Sequence, residues 1–202
     1  MKLVLILVLM IVSVMAVVGT FLINSVSTFY IDSFYTQMQS VFTTDTIRSM
    51  QEAAGRALVA RRLTVSTAES CTGGLLSKRI TDIPGCSDYY LGGVCSYANE
   101  VKMNVLGVRK ETLDTVGAVS AETAEQMAAG VAKALGADIG VGITGIAGPG
   151  GGTEDKPTGL VYISVWYDGK FFTRKMQSSL GRDRVRMQAA STALDLIRRH
   201  IF

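Results

Sequence analysis

A run of 21 residues, Leu3 to Ile23, has no charged side chain and is interrupted only by Ser13, Gly19 and Thr20. A soluble domain rarely hides so long an uncharged stretch, whereas as a helix it is long enough to cross a bilayer. It divides the chain into two compositions. Only Lys2, Asp32 and Asp45 carry charge through residue 47, which gives that part −1 against a net +3 for the whole, so the remainder holds +4. Basic charge before the run and acidic charge after it orient the N-terminus toward the cytoplasm. The run is long for the core of a secretory signal, and no clean A-x-A cleavage site follows. Residues 1–45 are therefore expected to be a hydrophobic leader and juxtamembrane segment, with membrane anchoring through residues 3–23 if that segment is genuine, and residues 46–202 a separate domain.

The second part alternates strand and helix patterns. IRSMQEAAGRALVARR, from Ile47, has apolar residues near helical spacing, and LTVSTA is a short β-rich run that ends at a glycine-containing turn. The same logic predicts a helix over Leu75–Thr81, a strand near Tyr89–Tyr97, and a helix capped by Asn99 and closed by Gly107. Ser120 should cap a helix that runs to Leu135 and stops at Gly136. Strands follow at Ile139–Thr144, Leu160–Trp166 and Phe171–Met176, and a last helix covers Asp183–Arg199. This order implies an α/β fold with a sheet covered on both faces. The strands either side of Tyr167-Asp-Gly-Lys170 should pair antiparallel, making the sheet mixed.

Several functions are excluded by composition. A charge of +4 without clustered Lys and Arg is too weak for a nucleic-acid footprint. Cys71, Cys86 and Cys95 lie 15 and 9 positions apart, form no C-x-x-C and have no nearby histidine, so they read as reduced thiols and not as zinc ligands. The single histidine, His200, stands third from the end. Any catalysis must use another base, which removes Ser-His-Asp, Cys-His and most zinc hydrolase schemes together.

Four segments could do chemistry. Ala68-Glu-Ser-Cys-Thr-Gly-Gly74 falls where a strand ends and a helix begins, the edge at which open α/β sheets bind ligands. Ser70, Cys71 and Thr72 are all possible nucleophiles there, and a plain strand-to-helix turn explains the glycines equally well. In Val94-Cys-Ser-Tyr-Ala-Asn-Glu-Val-Lys102, an Asn99 cap puts Lys102 at the third helical position, where the macrodipole disfavours positive charge. That is a poor place for a structural lysine and a useful one for a base, although a solvated lysine is the plain alternative. Tyr97 could hydrogen-bond such a pair. Gly142-Ile-Thr-Gly-Ile-Ala-Gly-Pro-Gly-Gly-Gly-Thr153 can wrap a phosphate or nucleotide, with Thr144 facing the ligand, but lacks the ending of a Walker A loop. Gly181-Arg-Asp-Arg-Val-Arg186 offers arginines for a phosphate, though Arg182, Arg184 and Arg186 cannot all point one way.

Together AESCTGG, GGVCSYANEVK, GAVSAETA and GITGIAGPGGGTEDKPTG followed by VYISV closely resemble the CinA C-terminal domain family, the nicotinamide-nucleotide amidohydrolases, over about residues 50–200. The resemblance implies a three-layer α/β/α sandwich, no metal and no cofactor, and a homodimer or larger assembly. Its activity would be hydrolysis of nicotinamide mononucleotide to nicotinate mononucleotide and ammonia. By position it makes Ser70 the nucleophile and Lys102 the general base, with Tyr97 assisting. The backbone of Cys71, Thr72 and Gly73 would form the oxyanion hole. Glu69, Thr144, Gly145 and Gly148 would bind the ribotide, Arg182 its phosphate, and Arg184 is the second choice for that role. The partner is then a small-molecule nucleotide, with no nucleic acid, and the catalytic domain would be cytoplasmic. Residues 1–45 resemble instead the first membrane segment of a sensor histidine kinase, which reads either as a fusion or as an authentic anchor that would face the domain outward. Two other functions compete: a non-catalytic nucleotide-binding module linked to competence or DNA damage, and a membrane sensor fragment.

Overall fold

The computed structural model describes residues 50–201 together with Met15 and Arg48. The chain divides between Thr46 and Ile47. The expected spanning run, residues 3–23, and its resemblance to a kinase segment lie outside the described residues, among which no helix is long and apolar enough to cross a membrane.

The first helix, α1, covers residues 50–61 and ends where Arg62 takes a left-handed φ of 55°. It is followed by β1 (Val65–Glu69), α2 (Leu75–Thr81), a short 3-10 turn (Cys86–Asp88) and β2 (Tyr90–Cys95). Next come α3 (Asn99–Leu106), α4 (Lys110–Thr115) and α5 (Ala121–Leu135). The remaining elements are β3 (Ile139–Gly145), β4 (Leu160–Tyr167), β5 (Lys170–Gln177) and α6 (Arg182–Ile201). Ser120 Oγ accepts the N–H of Thr123, and Gly136 closes α5 at φ 69°, so the expected cap and stop both form. At the β4–β5 turn Asp168 and Gly169 both take positive φ, 50° and 72°, the two-residue geometry whose twist matches a hairpin.

The five strands form one mixed sheet in the order β2-β1-β3-β4-β5. β1 is parallel to both β2 and β3, while β4 runs antiparallel to β3 and β5 to β4. Helices cover both faces. On one, Leu58 of α1, Leu76 and Ile80 of α2, and Val185, Ala189 and Ile197 of α6 pack on Val65, Val141, Ile143 and Ile163. On the other, Leu106 of α3 and Met127 and Val131 of α5 pack on Ala68. Burying a side chain such as Leu76 contributes roughly 1.5–3 kcal/mol, so these two layers hold the sheet from both sides.

The sequence Ile-Gly-Val-Gly-Ile of β3 explains how α5 can lie so close. Period-2 alternation sends Ile139, Val141 and Ile143 into the α6 side and turns Gly140 and Gly142 toward α5. A Cβ at Gly142 would lie 2.1 Å from the carbonyl oxygen of Ala124, and one at Gly140 1.9 Å from that of Ala128. The missing side chains let the helix backbone rest on the strand, which sets the position of Thr144 at the strand's end.

Three local expectations change. Ala98, extended at φ −81° and ψ 153°, is the N-cap of α3, because its carbonyl accepts the N–H of Lys102. Asn99 is therefore the first helical residue and Lys102 the fourth. β2 stops at Cys95, so Tyr97 stands beyond the strand. The helix α4 has no counterpart in the sequence reading, where its single apolar position, Leu113, gives no periodic signal.

Gly142→Val should lower stability by at least about 2 kcal/mol through overpacking, whereas Gly150→Ala, where an added Cβ meets nothing within 4 Å, should change it by less than about 0.5 kcal/mol. Urea unfolding of the two variants checks the contrast.

Candidate active site

The carboxyl ends of the three parallel strands converge on Ser70. The Ser70 N–H donates to the Ile143 carbonyl at 2.9 Å, and the Ser96 N–H donates to the Glu69 carbonyl at 2.9 Å. Two successive turns carry the chain into α2: the Gly73 N–H donates to the Ser70 carbonyl (3.1 Å) and the Leu75 N–H to the Thr72 carbonyl (3.2 Å). Gly73 and Gly74 supply the positive φ, 58° and 91°, that this path requires. Among the described residues no backbone acceptor takes the N–H of Cys71 or Thr72, while that of Gly73 is engaged within the turn.

Glu69, expected to contact substrate, does something else. Its side chain is fully buried, and its two carboxylate oxygens accept the Leu76 N–H (2.9 Å), the Ser77 N–H (2.8 Å) and the Ser77 hydroxyl (2.6 Å). Gly74, the N-cap of α2, has no side chain to offer, so the carboxylate of Glu69 satisfies the free N–H groups and complements the macrodipole. With both oxygens engaged and no place in the cleft lining, it holds the turn and leaves the ligand to others.

Cys71 lies beside Ser70 in the cleft wall but is buried, and burial pushes its thiol up to about 12, with the Glu69 carboxylate adding to the rise. Its backbone N–H and the guanidinium groups of Arg186 and Arg182 oppose the shift without reversing it. A thiol so protonated at neutral pH is a poor nucleophile, because the thiolate is the reactive form. All three cysteines are free.

Lys102 is 1% exposed, and its Nζ donates to the carbonyls of Ser96 (2.8 Å) and Tyr97 (3.1 Å). Burial lowers its pKa, with nearby Cys71 and Glu100 pulling in the opposite direction. Of the two expected causes, burial and the helix N-terminus, desolvation is the larger, and it acts on a fourth-position side chain. The two carbonyls match the two N–H bonds of a neutral amine, leaving its lone pair as the one unengaged direction. Tyr97 is 67% exposed, and it meets Lys102 through its carbonyl.

These groups line an open cleft of about 280 Å³. Its lining includes Ser70, Cys71, Tyr97, Asn99 and Lys102 together with Ala118, Val119, Thr144, Gly145, Gly148 and Arg182. The Thr144 hydroxyl donates to the Ala118 carbonyl at 2.6 Å, tying β3 to the loop before α5. Arg182 Nη1 donates to the Gly148 carbonyl at 2.8 Å, which brings it to the glycine loop. Arg184 is exposed and lines no part of the cleft, which corrects its placement as a second phosphate ligand. It lies two residues from Arg182, on another face of α6; Arg186, four residues on, shares the Arg182 face and donates to the Thr72 carbonyl at 2.7 Å. Asn99 and Arg186 were missed as site residues because Asn99 reads as a cap and Arg186 as one member of a basic face. Among the described residues no three His, Cys, Asp or Glu side chains gather where a metal ion could bind.

Comparison with known proteins places the domain in a family. The model of the CinA C-terminal domain matches residues 47–201. The chain belongs to that family. A curated relative from Clostridium acetobutylicum is 51% identical over 153 residues, 76% of this chain. The CinA-like protein of Kosmotoga olearia is 50% identical over 151 residues, 75% of this chain. The chain spans little more than a third of these relatives, 37% in each case. The crystal structure of the competence/damage inducible protein CihA from Agrobacterium tumefaciens superposes with a TM-score of 0.74 at 40% identity, covering 75% of this chain and 93% of that one. A competence-damaged protein (CinA) superfamily protein from Escherichia coli gives 0.74 at 32% identity, covering 77% and 90%. The α/β fold is therefore the family's own.

Two outcomes test the site's physical chemistry. Glu69→Gln puts an amide NH2 against an N–H that now meets a carboxylate oxygen, and should cost about 1–3 kcal/mol in urea unfolding. For Lys102, the folded pKa lies below the ordinary 10.5, so between those values the unfolded chain binds more protons and stability rises with pH. The penalty is complete below the folded pKa and vanishes above the unfolded one. The stability of the wild-type chain relative to Lys102→Met should therefore improve from pH 7 to pH 10.

Proposed function

We propose that this CinA-family domain is an amidohydrolase that converts nicotinamide mononucleotide to nicotinate mononucleotide and ammonia through a Ser70 acyl-enzyme. The observation that carries this reading is the buried Lys102, held by two carbonyls in the cleft that Ser70 also lines. A lysine must be neutral to take a proton from a serine hydroxyl, and desolvation moves it in that direction.

The reaction balances without a cofactor. Ser70 Oγ attacks the carboxamide carbon while its proton passes to Lys102 Nζ, and the oxyanion is met by the N–H groups of Cys71 and Thr72. Gly73, whose N–H is held by the Ser70 carbonyl, drops out of that role. Collapse of the tetrahedral intermediate expels the amine, which takes the proton from Lys102 and leaves as ammonia. Water, deprotonated by Lys102, then attacks the ester, releasing the carboxylate and restoring Ser70. Tyr97, at the cleft mouth, assists by contacting the bound substrate. Thr144, Gly145 and Gly148 wall the ribotide. Arg182, which commits one nitrogen to the Gly148 carbonyl, offers its remaining N–H groups to the phosphate. A cytoplasmic location, where such nucleotides are found, and a homo-oligomeric state belong to the same proposal.

Ammonia release from nicotinamide mononucleotide by the purified chain tests the reading. Ser70→Ala and Lys102→Met should each lose at least about 10³-fold in kcat, and the wild-type rate should fall on acidification as Lys102 becomes charged. Substantial turnover by Ser70→Ala, or a rate unchanged down to pH 5, overturns the mechanism. A folded wild-type chain that binds the nucleotide and releases no ammonia is instead a binding module.

A further inference from the structure

The oxyanion donors proposed above hang between two fixed points. On one side the Ser70 N–H is tied to the Ile143 carbonyl (2.9 Å). On the other, the planar peptide joining Thr72 to Gly73 is held at both ends, its N–H by the Ser70 carbonyl and its C=O by the Leu75 N–H and by Arg186 Nη2 at 2.7 Å. Only the Ser70–Cys71 and Cys71–Thr72 peptides lie between, and theirs are the two N–H groups without a backbone acceptor. Among the described residues Arg186 is the one hydrogen-bonding grip on that second point from outside the turn, 114 residues away in sequence. It lies four residues of α6, about 6 Å along the axis, from Arg182, which grips the glycine loop through the Gly148 carbonyl. Its guanidinium packs so closely on Gly73 that a Cβ there would lie 3.4 Å from Nη2. Its Nε and the Thr72 hydroxyl are buried with no hydrogen-bond partner, an uncompensated cost at this one contact.

We infer that Arg186 is a positioning residue that clamps the Thr72–Gly73 peptide and so fixes the orientation of the adjoining peptides that carry the Cys71 and Thr72 N–H groups, of which Cys71 lines the cleft. It touches neither Ser70 nor Lys102 by hydrogen bond, and it acts on the transition state through the backbone it holds. The role rests on the amidohydrolase reading. A small rotation of either free peptide would move its N–H away from the developing oxyanion, and errors of about 1 Å can cost on the order of 10²-fold in rate.

Arg186→Gln and Arg186→Lys are compared with Arg79→Gln. Arg79 is a buried arginine at the α2–α6 contact, which donates to Ser191 Oγ and the Met187 carbonyl and does not touch the turn. For ammonia release, Arg186→Gln should lose about 10–100-fold in kcat with KM within about twofold, Arg186→Lys should regain part of it, and Arg79→Gln should keep the wild-type kcat despite lowered stability. Equal kcat for Arg186→Gln and Arg79→Gln, or loss in KM alone, overturns the clamp. If the wild-type chain releases no ammonia, the amidase reading fails while the clamp is still decided by amide hydrogen exchange. Gly73 and Leu75, whose N–H groups are hydrogen-bonded within the turn, should then exchange about tenfold faster in Arg186→Gln than in Arg79→Gln, and equal exchange overturns it.

Discussion

The buried carboxylate of Glu69 is the contact on which the rest of the site depends. It ends β1 and begins α2 in one act, because its two oxygens take up the N–H groups that the first turn of a helix leaves unpaired. A glycine at the N-cap leaves that task undone, and a glycine is needed there for the left-handed path. The sequence Glu-Ser-Cys-Thr-Gly-Gly is therefore one device. The glycines allow the turn, the glutamate compensates for them, and the three residues between are presented at the sheet's carboxyl edge.

Lys102 is the second constraint, of opposite character. Burying an amine is costly, and the cost is met by two backbone carbonyls with no carboxylate hydrogen-bonded to it. A carboxylate partner would hold the lysine charged, whereas carbonyls satisfy its protons and leave desolvation to dominate. Supporting contacts come from segments far apart in the chain. β3 can lie under α5 only because Gly140 and Gly142 have no side chains, and Thr144 thereby reaches the loop at Ala118. α6 then holds the glycine loop through Arg182 and the turn before α2 through Arg186.

Much of the fold was legible because its signals are local. The Ser120 cap and Gly136 stop of α5, the Asp168-Gly169 hairpin and the bounds of α2 each follow from a few neighbouring residues whose backbone preferences agree. Where two adjacent residues could start a helix, as at Ala98 and Asn99, local chemistry favoured the wrong one, since a side-chain cap is a weak preference that the carbonyl of Ala98 overrides. The four motifs of the site were visible as strings, and they carried the family.

What the sequence by itself determined was the alternating α/β order and the positions of the motifs. Tertiary structure alone decided which side chain each motif spends on ligand and which on its own backbone. It turned Glu69 inward, opened Asn99 to the cleft, buried Lys102 while leaving Tyr97 at the mouth, and set Arg182 but not Arg184 at the cleft. The reason is that a side chain's role depends on its burial and its partner, and these partners come from strands and helices up to 114 residues away, beyond the reach of any local pattern.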